Sequence, residues 1–288
     1  MQTVNSLNTL KQAVEDLRQS GRIALVPTMG ALHEGHLALV RRARELADHV
    51  VVSIFVNPTQ FGPNEDLGRY PRRLAADEAL LEAEGAALIW APQAAEMYPQ
   101  GFATSVEVGG VSEGYCGAAR PGHFAGVATV VLKLFNQVQP DFAVFGEKDW
   151  QQLAVIRRMA QDLNLTSPCV ENIVGAPIVR EEDGLALSSR NAYLSAAERR
   201  VAGRLNGLMR QAIAQIEGGG EVSAVLADLD TALLAAGFAS VDYAALADAE
   251  SLAPLAALTG SPARLLVAAR IGGTRLIDNM PVGSNARC

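Results

Sequence analysis

Residues 23–56 read IALVPTMGALHEGHLALVRRARELADHVVVSIFV. Two apolar runs, Ile23 to Val26 and Val50 to Val56, enclose a glycine-containing loop and a stretch with helical spacing, His36 to Ala47, through Leu37, Val40 and Leu46. A short apolar run stopped by proline reads as a buried strand. Strand, loop, helix and strand in that order predict a βαβ unit with parallel strands. Neither run alternates with polar residues, which suits a sheet covered on both faces.

The same grammar extends outward. A helix is expected over Leu7 to Arg18, then after the opening unit a helix over Leu74 to Glu84 and a strand over Ala87 to Trp90. Phe124 to Val138 reads as a helix, Asp141 to Phe145 as a strand and Asp149 to Leu163 as a helix. This is a doubly wound, Rossmann-like α/β pattern, whose ligands belong at the carboxyl ends of the strands. The pattern changes near Ile178. Ser195-Ala-Ala-Glu198 is a capping-box sequence opening a long helix that runs to Gly218-Gly219-Gly220. A second helix starts near Val222, and Ser240 to Leu246, Arg264 to Ile271 and Arg275 to Ile277 read as strands. The expectation is a Rossmann-like domain over residues 1–178 and a smaller α+β domain over 179–288.

Composition narrows the class. With 49% hydrophobic and 19% charged residues, the 288-residue chain is suited to a packed globular protein. A net charge of −7 gives no general attraction to nucleic acid or to an anionic membrane. The start, MQTVNSLNTLKQ, has no apolar leader core, and no apolar run approaches a membrane span. Cys116, Cys169 and Cys288 are widely spaced with no CxxC, as expected of reduced thiols in the cytoplasm.

Chemistry-bearing residues gather at strand ends. Two of the four histidines lie in one loop, His33-Glu34-Gly35-His36. Free amides and the helix dipole would make that strand-to-helix turn an anion site. Gly30 and Gly35 have P-loop spacing, but His36-Leu37 replace the required Lys and Ser or Thr, and HEGH is not the HExxH zinc motif. After the second strand comes FVNPTQF, residues 55–61, where Asn57 and Gln60 suit a hydroxyl or carboxylate ligand. Gly146-Glu147-Lys148-Asp149 precedes a helix opening Trp150-Gln151-Gln152, with Lys148 as a phosphate-seeking point charge and Asp149 as a helix cap or metal ligand. Leu187-Ser188-Ser189-Arg190-Asn191 offers hydroxyls and a guanidinium for a phosphate cradle. Each cluster alone also reads as an ordinary turn.

Together they are specific. PTMGALHEGH, FVNPTQF, RPGHFAGV, GEKDWQQ and DGLALSSRN stand in the order found in the pantothenate synthetase family, over about Val26 to Asn191, and the later RLIDN fits too. The resemblance implies a Rossmann-like fold akin to class I aminoacyl-tRNA synthetases and HxGH nucleotidylyltransferases. It implies ligation of pantoate with β-alanine, giving pantothenate, AMP and pyrophosphate through a pantoyl-adenylate, with ATP and Mg²⁺, in a cytoplasmic homodimer.

Carried over by position, Met29, Gly30, Ala31, Leu32, His33, Glu34, Gly35 and His36 match the ATP loop, with both histidines at the phosphates. Gly146, Glu147, Lys148 and Asp149 match a second ATP segment, and Val179 matches a backbone contact near adenine. Leu187, Ser188, Ser189 and Arg190 match a flexible phosphate loop. Gln60 and Gln152 match pantoate contacts, with Gln60 also near β-alanine. His33, His36, Lys148 and Arg190 are the expected catalytic set. Asp77 and Asp149 are candidates for Mg²⁺. Trp150 stands where Tyr or Phe is commoner, and Leu187 where Met is also common. No general base for the amine step stands out. Two other readings share the HxGH loop or the fold: a nucleotidylyltransferase, and a nucleotide-sensing module without chemistry. FVNPTQF and GEKDWQQ argue against the first, and a pantoate-type pocket combined with an SSR loop against the second.

Overall fold

The computed structural model describes residues 1–63 and 65–283; Cys288 and the end of the 179–288 segment lie outside the described residues. In chain order the elements are β1 (Gln2–Val4), α1 (Leu7–Arg18), β2 (Ile23–Thr28), α2 (Glu34–Leu46), β3 (His49–Ile54), α3 (Leu74–Ala83) and β4 (Leu88–Trp90). Then come α4 (Ala94–Met97), α5 (Tyr115–Ala119), α6 (His123–Val138), β5 (Phe142–Gly146), α7 (Trp150–Asp162) and β6 (Ile173–Ala176). The last part holds α8 (Ala196–Ala202), α9 (Arg204–Glu217), α10 (Val222–Ala236), β7 (Ser240–Asp248), β8 (Ala263–Ile271) and β9 (Thr274–Val282).

β1 to β6 form one six-stranded sheet in the order β1-β4-β3-β2-β5-β6, and every pairing is parallel. The continuous apolar runs follow from two covers. Ile23 and Leu25 of β2 face α1, α6 and α7, whereas Ala24 and Val26 face α2 and α3. The chain winds outward from β2 in one direction, then returns through α6 to place β5 on its other side. The switch point lies between β2 and β5.

β2 continues through Pro27 to Thr28, past the expected stop at Val26. Its pairing with β3 runs to Thr28 opposite Ile54, but its register with β5 ends at Leu25 opposite Ala143. Ile23 offers its carbonyl to the β5 side, to Asp141 N, and Thr28 offers its carbonyl to the β3 side, to Phe55 N. By alternation Pro27 faces β5, where it has no N–H to give. The two strands part there, and the crevice opens.

β7, β8 and β9 make an antiparallel three-stranded sheet. Leu265, Val267 and Ala269 of β8 pack with the helices α8 to α10, while Leu266 packs toward Trp150 and Ala154 of α7. The helix expected from Ser195 to Gly218 is two. The Ser195–Glu198 capping box is present, but Gly203 separates α8 from α9. A Cβ at Gly203 would come within 2.1 Å of Asp183 Oδ2, so the backbone there is pressed by a carboxylate that Arg199 also grips. β9 runs on through Pro281, which an edge strand tolerates. β1 and β6 are strands the periodicity reading omitted, both short.

Candidate active site

The sequence-named clusters converge at the carboxyl ends of β2, β3 and β5. A cavity of about 220 Å³ is lined by Met29, His33, Gly35 and His36, by Gln60, by Gly146, Lys148, Asp149 and Gln152, and by Val179, Leu187, Ser188, Ser189 and Arg190. A second cavity of about 530 Å³ adjoins it, sharing Lys148, Gln152, Ser188 and Arg190 and reaching the β9 side of the C-terminal sheet.

The loop after β2 is held by Asp77, which is 2% exposed. Its carboxylate accepts from Ala31 N at 2.9 Å and Leu32 N at 2.8 Å, and Gly30 N donates to Thr28 Oγ1 at 3.2 Å. Gly30 and Ala31 both have positive φ, 80° and 52°, so this buried carboxylate stabilises a turn that ordinary residues resist. Asp77, proposed from sequence as a Mg²⁺ ligand, is therefore a brace, with both oxygens committed to the loop. The expected backbone anion site also changes. The amides of Gly30, Ala31 and Leu32 are taken by Thr28 and Asp77, that of Gly35 by His33 Nδ1 at 3.2 Å, and that of His36 by the His33 carbonyl at 2.8 Å.

What the loop offers instead is a pair of imidazoles. His33 caps α2, and His33 N–H donates to His36 Nδ1 at 3.3 Å. Each ring thus accepts at Nδ1, which places its hydrogen on Nε2. The rings lie 4.1 Å apart between centroids. Burial, with the nearby Lys148 charge, lowers the His33 pKa to about 4. Burial, His33 and Lys148 together lower that of His36 to about 3. Both are neutral Nε2–H donors at physiological pH.

Gly35 is small for a reason: a Cβ would sit 3.0 Å from the His33 ring and 3.6 Å from Leu187. Gly30, Ala31, Leu32, Glu34 and Glu147 do not line the smaller cavity. Glu34 pairs with Arg41 at the surface, and Glu147 turns away to Arg264 at 2.9 Å. Lys148, by contrast, has no carboxylate within ion-pair distance among the described residues. Trp150 is explained by its indole, which donates to Ala249 O at 2.8 Å in the C-terminal part; a Phe there could not.

Gln60 sits on a turn after β3, fixed by Asn57. Asn57 is 1% exposed, and its Nδ2 donates to Gln60 Oε1 and Gly126 O, both at 3.1 Å. Its Oδ1 accepts from Tyr98 and Thr59, so the Asn57 amide is committed to the turn, although the residue also borders the cavity. Among the described residues Gln60 Nε2 meets only the Met29 thioether, at 3.1 Å, a weak acceptor that an oxygen ligand displaces easily. Gln152 has no side-chain partner among the described residues, whereas neighbouring Gln151 is spent on the backbone of Cys116, Val111 and Gly114.

Arg190 reaches Asp66 through two hydrogen bonds, and Ser189 meets Tyr70 at 3.3 Å. Val179 accepts from Leu187 N at 3.0 Å, and Arg180 to Ala186 form a short hairpin leading into the loop. The sequence reading named no role for Arg120, His123 or Tyr70, which line the cavity with Gln60. His123 Nδ1 lies 2.9 Å from the Gln60 carbonyl and its Nε2 lies 2.9 Å from Arg120, itself paired with Glu65. RPGHFAGV was the available signal, since it sets Arg120 and His123 three apart at the start of α6.

The family model for Pantoate-beta-alanine ligase matches residues 2–281. The chain belongs to the pantoate-beta-alanine ligase family. It is 68% identical over 284 residues to the Pantothenate synthetase of Novosphingobium aromaticivorans, covering 98% of this chain and 99% of that one. To that of Sphingopyxis alaskensis it is 62% identical, covering 98% and 100%. The crystal structure of pantothenate synthetase from Thermus thermophilus superposes with a TM-score of 0.90 at 49% identity, covering 97% and 99%. The ligase from Francisella tularensis, solved in complex with beta-gamma ATP and beta-alanine, superposes with a TM-score of 0.82 at 32% identity, covering 97% of each chain. As a ligase of this family, the chain is an ATP-dependent enzyme with a Rossmann-like sheet and a small antiparallel-sheet unit.

Proposed function

We propose that this cleft joins pantoate to β-alanine with ATP in two steps. A pantoate carboxylate oxygen attacks the α-phosphorus, the bond to the β-phosphate breaks, and pyrophosphate leaves. The β-alanine nitrogen then attacks the acyl carbon of the pantoyl-adenylate, loses a proton, and AMP departs as pantothenate forms. The single observation that carries this reading is the pair of imidazoles, His33 and His36, each accepting at Nδ1 and so carrying its hydrogen on Nε2 in the cavity wall, beside a Lys148 with no carboxylate partner among the described residues. Charge develops on phosphate oxygens in the first step, and fixed donors aimed there lower its barrier.

In this reading His33, His36, Lys148, Ser188, Ser189 and Arg190 meet the phosphates. The backbone of Val179 meets the adenine region, with Met29 and the glycines of its loop shaping the nucleotide's path. Gln60 and Gln152 hold the carboxylate and hydroxyls of pantoate. Val127, Val130, Val131 and Leu134 of α6 line the same cavity and suit its dimethyl carbon. Asp149, exposed at the edge of both cavities, fits Mg²⁺ as one carboxylate beside the phosphates; the ion would neutralise phosphate charge. Residues 1–178 would bind ATP and pantoate, and 179–288 would cover them. A cytoplasmic homodimer belongs to the same proposal.

The test is isotope exchange. Enzyme, ATP, Mg²⁺ and pantoate should move labelled pyrophosphate into ATP without β-alanine. Omitting pantoate should stop the exchange. A strict requirement for β-alanine would refute a free-standing adenylate step.

A further inference from the structure

Adjacent residues on β9, Asp278 and Asn279, lie at the junction of the two phosphate-facing segments, and the roles assigned above use neither. Both are nearly inaccessible, at 3% and 2% exposure. Side chains on a strand alternate. Leu276, Met280 and Val282 face the C-terminal helices, so Asp278 leans to that side, while Ile277 and Asn279 face the N-terminal domain.

Asn279 uses its whole amide. Its Nδ2 donates to the carbonyl of Glu147 at 2.9 Å and to that of Lys148 at 3.0 Å. Its Oδ1 accepts from Arg264, which also pairs with Glu147 and lies over the Trp150 ring. The short 3₁₀ turn that carries Lys148, residues Glu147–Asp149, is thus held at two consecutive carbonyls from the other domain. Asp278 does the matching work. It takes Arg180 Nη1 at 2.7 Å and Nη2 at 2.9 Å, and Arg180 Nη1 also donates to the Gly184 carbonyl. That closes the hairpin feeding Leu187 to Arg190. Asn279 N donates to Asp278 Oδ1 at 2.7 Å, which links the two grips.

We propose that Asp278 and Asn279 are positioning residues for adenylation, holding the Lys148 turn and the Ser188–Arg190 loop in register from β9. The proposal rests on the phosphate role given to Lys148. It deepens that role by assigning the lysine's placement to the C-terminal sheet rather than to β5. Loss of Nδ2 would release two carbonyls near a charge-bearing turn, and a misplaced donor costs rate in proportion to its lost alignment.

The test is a double-mutant cycle in the full-length enzyme, read by pantoate-driven ATP–pyrophosphate exchange. Asn279→Asp keeps the shape and the acceptor for Arg264 but turns oxygen against the two carbonyls. It should lower the exchange rate at saturating ATP at least ten-fold, with the KM for pantoate unchanged. In a Lys148→Ala background the same substitution should change the rate less than two-fold. Equal factors in both backgrounds would mean general loosening and overturn the proposal, as would a wild-type rate in folded Asn279→Asp. Should that variant not fold, Asn279→Ser replaces it. A harmless Lys148→Ala would sink the phosphate reading alone. The positioning claim would then be judged by a crystal structure of the Asn279 variant: a 147–149 turn displaced by at least about 1 Å sustains it, and an unmoved turn overturns it.

Discussion

Arg190 donates to Asp66 from Nε at 3.2 Å and from Nη2 at 2.9 Å, so the guanidinium assigned to phosphate is already bound to a carboxylate. Burial pushes the Asp66 carboxyl up, but the Arg190 hydrogen bonds and charge outweigh it and hold it below the usual range. A phosphate must compete with Asp66 for the same fork. Asp66→Asn should tighten ATP binding about two- to five-fold, the scale of a partly exposed pair, and should speed hydrogen exchange over 187–191 in the free enzyme. Calorimetry showing weaker ATP binding would mean that Asp66 supports Arg190 rather than competing for it.

His36→Ala should leave the fold intact and lower single-turnover adenylation by roughly 10²- to 10³-fold, the cost of one preorganised donor. Rapid quench of pantoyl-adenylate formation reads this directly. His36→Gln keeps a neutral N–H donor and should recover part of the loss.

The histidines make stability fall in mild acid. His33, His36 and His123 have folded pKa values of about 4, 3 and 4, all below the usual 6.5; for His123, burial and then Arg120 are the causes. Between those values and 6.5 the unfolded chain binds more protons. Their contribution is therefore complete above pH 6.5 and is lost as pH falls toward 4 for His33 and His123 and toward 3 for His36. The melting temperature should drop over that window, and His123→Gln should flatten the slope whatever it does to the plateau. His33 keeps more solvent contact and should contribute least.

Gly126 is where α6 meets the Gln60 turn. An added Cβ would lie 2.5 Å from Thr59 O and 2.7 Å from Gln60 N, both backbone atoms. Gly126→Ala should cost about 1–3 kcal/mol in denaturant unfolding. It should also raise the pantoate KM by roughly an order of magnitude, because Gln60 moves with the turn.

Much of this was legible in the chain. The apolar runs and their spacing announced the doubly wound sheet, and the site clusters all fell at strand ends. What periodicity could not show was contact between distant residues. Asp77 looked like a free carboxylate because nothing local says that it closes on Ala31 and Leu32, forty-five residues or more away. The HEGH loop looked like an amide cradle because the competing acceptors come from Thr28, Asp77 and the histidines themselves. The helix expected from Ser195 to Gly218 ran through Gly203 because nothing local places Asp183 against that backbone. β1 and β6 are too short for a period, and Arg120 and His123 take their meaning from the Gln60 carbonyl.

Pro27 leaves the sheet with a seam. Four strands, β1 to β4, form one plate and β5 with β6 another, and the register between the plates rests on Ala24 with Phe142 and Leu25 with Ala143. The imidazoles ride on the larger plate and Lys148 on the smaller, and α2 bridges the two, since its Leu39, Val40 and Ala43 pack with Val144 of β5 as well as with Ala24 and Val26 of β2. A nucleotide spanning the gap would add a second bridge on the open side of the seam, and Asn279, holding the Lys148 turn from the C-terminal sheet, already supplies a third.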